Sequence, residues 1–157
     1  MHRSWIESRG DFEISTDVSR IDVAAVQGFL SASYWAKGIS MEAVQRSIHN
    51  SLCFGIYCRQ QQAGFARVIT DRATFAYIAD VFVLEAFRGR GLAKWLMQCI
   101  LAHPELQGLR RWSLITRDAH ELYRQFGFRE LGSPERWMEL HRPGVESSRI
   151  SKTRRRE

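Results

Sequence analysis

The residues best placed to do chemistry form one run, Arg88-Gly89-Arg90-Gly91-Leu92-Ala93-Lys94. Glycine takes left-handed backbone angles at no steric cost and lets a ligand come close to the main chain. A glycine turn that feeds a helix gathers unpaired N–H groups at one spot, and the helix dipole makes that spot attractive to phosphate. Arg88, Arg90 and Lys94 add positive charge. The residue types describe a candidate pyrophosphate cradle. The run is neither the GxxxxGK[ST] loop nor the dinucleotide GxGxxG, since only Gly89 and Gly91 are glycine. On the bare pattern, a packing turn with solvated arginines fits equally well.

The flanking elements would have to position this turn. Phe82, Val83 and Leu84 suit a buried strand. Leu92, Trp95, Leu96, Cys99 and Ile100 fall on the i, i+3, i+4, i+7, i+8 stripe of an amphipathic helix running to Ala102, where His103-Pro104 ends it. Upstream, the runs 52–58, 63–70 and 74–83 read as an antiparallel meander with turns at 59–62 and 71–72. Asp11 to Asp17 alternates as an edge strand, and residues 1 to 10 read as irregular. Asp17 or Ser19 can cap a helix with apolar positions Ile21, Val23, Val26, Phe29 and Leu30. Ser40 can cap another over Met41 to His49, in which Glu42 and Arg46 form an i, i+4 pair. After the cradle helix come a strand over 111–116, a helix over 119–126 capped by Asp118, and a strand pair over 128–131 and 136–140. The whole predicts an α/β or α+β domain with a mixed, mostly antiparallel sheet of six or seven strands flanked by helices.

Arg88 to Ala93 fits the (Q/R)-x-x-G-x-(G/A) signature of GNAT-type N-acetyltransferases, with Arg88, Gly91 and Ala93 on the signature positions. Asp80-Val81-Phe82-Val83 resembles the family's fourth strand, and Ala119 to Phe128 resembles its A-x-x-L-Y-x-x-x-G-F segment. The two motifs stand in the family's order, and the resemblance covers roughly residues 11 to 140. The Asn that commonly precedes the second motif is replaced here by Thr116-Arg117-Asp118.

That resemblance implies a GNAT fold and transfer of an acetyl group from acetyl-CoA to a primary amine by direct attack. The pyrophosphate would rest on Arg88, Gly89, Arg90, Gly91, Leu92, Ala93 and Lys94. The backbone of Phe82 and Val83 would hold the pantetheine arm, where strands 78–84 and 111–116 splay apart. The family's general-acid tyrosine matches Tyr123, and a phenol with an unperturbed pKa of about 10 can donate to a thiolate leaving group. Asp80, at the start of that strand, and Asp71, on the preceding turn, are candidates to accept a proton or face the acceptor. Both are equally readable as strand-end or turn carboxylates. Tyr34 and Trp35, in a loop between two helices, would line the acceptor pocket or plug the core beneath it. Aromatic rings and a carboxylate suit a small cationic amine, and a peptide N-terminus, a lysine or an aminoglycoside nearly as well.

At 157 residues one domain is expected, over 1–142, with a basic, disordered tail over 143–157. The net charge is +6, but +4 of it falls between Arg142 and Glu157, where six basic residues face two acidic ones. The body is therefore too weakly basic to argue for nucleic-acid binding by the fold. Two rival readings are a non-catalytic acyl-CoA sensor, and a nucleic-acid-associated protein acting through the tail. No apolar run is long enough to span a bilayer, the first residues lack the apolar core of a signal peptide, and the three cysteines read as reduced thiols, so the expected location is cytoplasmic. The five histidines are scattered, and no metal site is expected. A homodimer is the default oligomer.

Overall fold

The computed structural model of the chain describes residues 4–143. The tail expected over 143–157 lies, apart from Pro143 where the sequence has Arg142-Pro143-Gly144, outside the described residues. The chain divides into two compact units between Thr116 and Arg117.

The first unit is built on a six-stranded sheet, with strands in chain order across it: β1 (Ile6–Arg9), β2 (Phe12–Ser15), β3 (Leu52–Cys58), β4 (Gln61–Thr70), β5 (Phe75–Val83) and β6 (Arg111–Leu114). Every neighbouring pair is antiparallel except β5 and β6, which are parallel. Three short connections (β1–β2, β3–β4 and β4–β5) and one long excursion from β2 to β3 carry the chain across the antiparallel part. The parallel step needs a crossover, and α3 (Leu92–Ala102) supplies it. This is the mixed, mostly antiparallel sheet that the sequence predicts, with six strands.

Helices α1 (Val23–Ala32) and α2 (Met41–His49) bring Val26, Leu30, Val44 and Ile48 onto Cys53, Phe65 and Phe82 of the central strands. Phe29 of α1 stacks on Phe82, with ring centroids 4.0 Å apart. Asp22, not Asp17 or Ser19, caps α1: its Oδ1 accepts from the Ala25 N–H at 3.0 Å. Asp17 instead caps a separate 3-10 turn, Val18–Arg20. Gln62 is almost fully buried and ties the start of α1 to the sheet, accepting from the Asp22 N–H at 2.8 Å and donating to the Gly64 carbonyl at 3.1 Å. Ser40 caps α2 as expected, and Arg46 pairs with Glu42 at 3.3 Å.

Residues 6–9, expected to be irregular, form edge strand β1, and β2 is interior. All four side chains of β1 are exposed, so the strand rests on backbone pairing to β2 across the turn at Gly10, where φ is +58°. The second unit holds α4 (His120–Arg124), which starts at Ala119 without a side-chain cap, so Asp118 is not its N-cap. The strand pair expected over 128–131 and 136–140 does not form: Pro134–Arg136 is a 3-10 turn, and Met138 and Leu140 are 97% and 79% exposed. Alternating side chains make a strand only where a partner strand and a covering layer exist. No helix among the described residues is long and apolar enough to cross a membrane.

His103, just past α3, is buried edge-on against Trp5 and Phe54, each at 5.5 Å. Its Nδ1 accepts from the Glu105 N–H at 3.2 Å, which places the neutral ring's proton on Nε2. Burial pulls its pKa below the ordinary 6.5. The unfolded chain therefore takes up a proton first as the pH drops, so this contribution is complete above about 6.5 and is lost as pH falls towards the folded value. The thermal midpoint is expected to decline between pH 7 and pH 5, and a His103→Asn variant, which keeps an acceptor for Glu105, should show a flatter decline across the same melts.

Candidate active site

Strand β5 ends in the turn that the sequence singles out. A 3-10 turn, Glu85–Phe87, leads to Gly89 and Gly91, whose φ values of +77° and +72° are left-handed. Gly91 is the N-cap of α3, and the first helical bond runs from the Trp95 N–H to the Gly91 carbonyl at 3.1 Å. The N–H groups of Leu92, Ala93 and Lys94 lie ahead of that bond, in the turn where helical donors have no intrahelical acceptor. A Cβ built on Gly89 or Gly91 would meet no atom within 4 Å. The glycines are therefore required by backbone angle and not by packing, and the space above the turn is open. Open space, convergent donors, a helix dipole and the cation of Lys94 together fit a pyrophosphate. Leu92 points its side chain into the core, while Ala93 is half-buried.

The basic side chains divide their work. Arg88 folds back, its Nε donating to the Val83 carbonyl at 3.0 Å. The Arg90 guanidinium lies over the Phe12 ring, 5.9 Å from its centroid. Lys94 is exposed on the first turn of α3.

Beside the turn, the sheet opens. Pairing of β5 with β6 runs from Phe75↔Arg111 to Ile78↔Leu114 and stops, while β5 continues to Val83 against β4. Residues 79–83 thus have one paired edge and one unpaired by β6. The Leu84 N–H donates to Ala63 on the β4 side at 2.8 Å, so by alternation the peptide groups of Val83 face the open edge. Phe82 does not: its carbonyl lies against Gly64 of β4, where even a Cβ would collide with it, and its ring is buried under Phe29. Of the two residues expected to hold an arm by backbone pairing, the geometry offers Val83 alone.

A β-bulge in β5 marks the middle of this edge. Phe65↔Phe82 and Arg67↔Ala79 are paired, so β5 carries one extra residue there, and Asp80 has φ +55°. Asp80 tolerates that angle better than most residues. Its Oδ2 accepts from Arg67 Nε at 2.8 Å and its Oδ1 from the Trp35 indole at 3.0 Å. Arg67 Nη1 in turn donates to Ser51 at 3.3 Å. Trp35 also meets Phe29 at 6.1 Å and Tyr34 at 5.1 Å, yet Tyr34 and Trp35 stay 48% and 43% exposed. The loop between α1 and α2 is thereby pinned to the bulge with its rings facing water. Arg67 was invisible as a site residue, since its meeting with Asp80 depends on the register of a hairpin. The Asp80 carboxylate is nearly buried, and Arg67→Met, which strands it without its cation, is expected to cost about 2 kcal/mol by denaturant titration.

Asp71 belongs elsewhere. Its Oδ1 accepts from the N–H groups of Ala73, Thr74 and Phe75, and its Oδ2 from the Thr74 hydroxyl at 2.6 Å. These bonds, the Thr74 hydroxyl foremost, hold its pKa well below the usual carboxylate range. It closes the β4–β5 turn, at the opposite end of β5 from the glycines, and its expected place at the acceptor is corrected on that ground. Tyr123, in the second unit, is buried on α4 with its ring 6.0 Å from Phe128. Among the described residues no cluster of His, Cys, Asp and Glu could hold a metal. A cavity of about 490 Å³ is lined by Thr16, Asp17, His49, Cys53 and His103 among others, and by none of the glycine-turn residues.

Comparison with known proteins gives consistent matches. A family model described as an acetyltransferase (GNAT) domain matches residues 49–130, from the end of α2 past α4. A candidate acetyltransferase of Gibberella zeae is 32% identical over 144 residues, spanning 77% of this chain and 79% of that protein. The crystal structure of a candidate GNAT-family acetyltransferase from Xanthomonas campestris pv. campestris is 50% identical, covers 87% of this chain and 96% of its own, and superposes with a TM-score of 0.84. A candidate acetyltransferase of Clostridium acetobutylicum, solved with acetyl-CoA, is 16% identical over 83% of this chain and 94% of its own, and shares the fold with a TM-score of 0.61.

Proposed function

Because this chain belongs to the GNAT acetyltransferase family, we propose that it moves an acetyl group from acetyl-CoA to a primary amine by direct attack, without a covalent enzyme intermediate. The observation that carries this reading is the open edge of β5, which runs past a bulge straight into the glycine turn.

Acetyl-CoA supplies the activated acyl group as a thioester, and the chain binds, orients and moves protons. The amides at the start of α3 and the Lys94 cation hold the pyrophosphate. The Val83 peptide groups pair with the amides of the pantetheine arm as a neighbouring strand would. Arg88, bonded to the Val83 carbonyl, fixes the strand end at the place where arm and cradle meet. Backbone N–H groups next to the bulge face the acyl oxygen, where negative charge develops. Asp80 has both carboxylate oxygens engaged, so it acts as a positioning residue, holding Trp35 and the bulge in place. Tyr34 and Trp35 present ring faces to the acceptor, which suits a cationic amine or an aromatic neighbour of one. As the carbon–sulfur bond breaks, the Tyr123 hydroxyl gives its proton to the sulfur, and the attacking amine releases its own to water. Support for Tyr123 comes from its place in the A-x-x-L-Y segment.

The test is a thermal melt with and without acetyl-CoA, followed by thiol release across a panel of a polyamine, an aminoglycoside, a lysine peptide and a peptide with a free N-terminus. At about 100 times the dissociation constant, binding should stabilise by roughly 2.7 kcal/mol, on the order of 5 to 10 °C for a chain this size. One amine class should release thiol. A shift with no release on any amine would leave an acyl-CoA binder without turnover, and no shift at millimolar acetyl-CoA would overturn the reading.

A further inference from the structure

The hairpin β1–β2 has no place in the chemistry so far, yet it reaches the cradle. Its two closing residues, Arg9 and Phe12, pair across the turn and both touch the segment that surrounds the glycines. The Arg9 guanidinium lies over the Trp95 ring, 5.9 Å from its centroid, one turn into α3. Phe12 meets Phe87 edge-on at 6.2 Å and carries the Arg90 guanidinium on its face. Two guanidinium groups are thus seated on aromatic rings that flank the open turn. Neither has a carboxylate within ion-pair reach among the described residues, although Glu7 and Asp11 are close in sequence. Both arginines are exposed.

We propose that Arg9 and Arg90 form a second anion site at the rim of the cradle, which takes the 3′-phosphate on the adenosine end of the donor. This deepens the function proposed above and rests on it. Coenzyme A carries its phosphates in two places: a pyrophosphate on the ribose 5′ carbon, and a monoester on the 3′ oxygen of the same ribose. With the pyrophosphate at the N-terminus of α3, the monoester stands one sugar ring away, at the rim and not in the turn. A phosphate monoester carries close to two negative charges at neutral pH and three strong acceptor oxygens. Guanidinium meets those oxygens as a planar fork, and a guanidinium already laid on a ring loses less freedom on binding than a mobile one. The dipole and the turn amides answer the pyrophosphate; nothing in that set reads the third phosphate. The arginines supply that reading, and with it a preference for the complete coenzyme over its 3′-dephospho form.

The test compares acetyl-CoA with 3′-dephospho-acetyl-CoA by titration calorimetry on the full chain, for wild type, Arg9→Gln, Arg90→Gln and the double variant. Wild type should bind acetyl-CoA about tenfold tighter than the dephospho form at low salt. The ratio should shrink in each single variant and approach one in the double variant, with thermal midpoints without ligand unchanged. It should also fall at 1 M salt, where the Debye length is about 3 Å. Because the readout is the ratio, any loss of pyrophosphate affinity common to both ligands cancels. Equal binding of the two ligands by wild type overturns this inference and leaves the acetyl-CoA reading standing. An unchanged ratio in the double variant also overturns it. Binding of neither ligand overturns the acetyl-CoA reading itself.

Discussion

Tyr123→Phe is expected to lower kcat by roughly 100-fold or more, the usual scale for losing a positioned general acid, while the affinity for acetyl-CoA stays within a factor of two or so. The substitution removes one oxygen. The ring keeps its buried position and its edge contact with Phe128, so the fold of that unit should persist. Steady-state thiol release gives kcat, and a thermal shift with acetyl-CoA gives binding in the same samples. A further comparison separates proton donation from packing: with an acyl donor whose thiol is more acidic, the leaving sulfur needs less help, and the deficit of the variant should shrink. An unchanged kcat with acetyl-CoA would make Tyr123 a packing residue and assign the proton to water.

Gly91→Glu should weaken acetyl-CoA on the order of 100-fold, as a carboxylate set against bound phosphate costs several kcal/mol. The stabilisation seen in wild type should vanish at the same ligand concentration. Two effects are combined in that variant, and Gly91→Ala separates them. At φ +72° any side chain is strained, by roughly 1 to 2 kcal/mol, so both variants should melt below wild type. The methyl group meets no protein atom within 4 Å, so the alanine variant should keep most of its response to acetyl-CoA. Equal loss in both variants would attribute the effect to a distorted turn; equal retention would remove the glycine turn from the phosphate site.

The parts of this architecture that depend on neighbours in sequence were legible. Leu92 to Ala102 is helical over the range its stripe predicts, and Gly89 and Gly91 carry the left-handed angles that their residue type suggests. The meander followed from alternating runs separated by short polar turns. Parts that depend on distant partners were not. Arg67 meets Asp80 13 residues away, and Trp35 meets it 45 residues away; no local pattern encodes either meeting. Periodicity identifies a face and not its partner, which is why β1, with no apolar face, went unseen, and why 128–131 and 136–140 read as strands. Asp71 misled for a related reason. An aspartate before Arg-Ala-Thr can close a turn with its own backbone or face a ligand, and only the bonds to residues 73 to 75 decide.

The open edge of β5 also bears on how this protein can vary. The groups that Val83 offers there belong to the peptide bond, which nineteen of the twenty amino acids carry in the same form. Replacing Val83 with alanine or leucine leaves them in place, so an alanine scan would pass over this part of the site without registering it. Proline is the exception, because it has no N–H to give. On the function proposed above, drift would alter the side chains along this edge, and with them the fit to an acceptor, while the grip on the donor would be inherited unchanged.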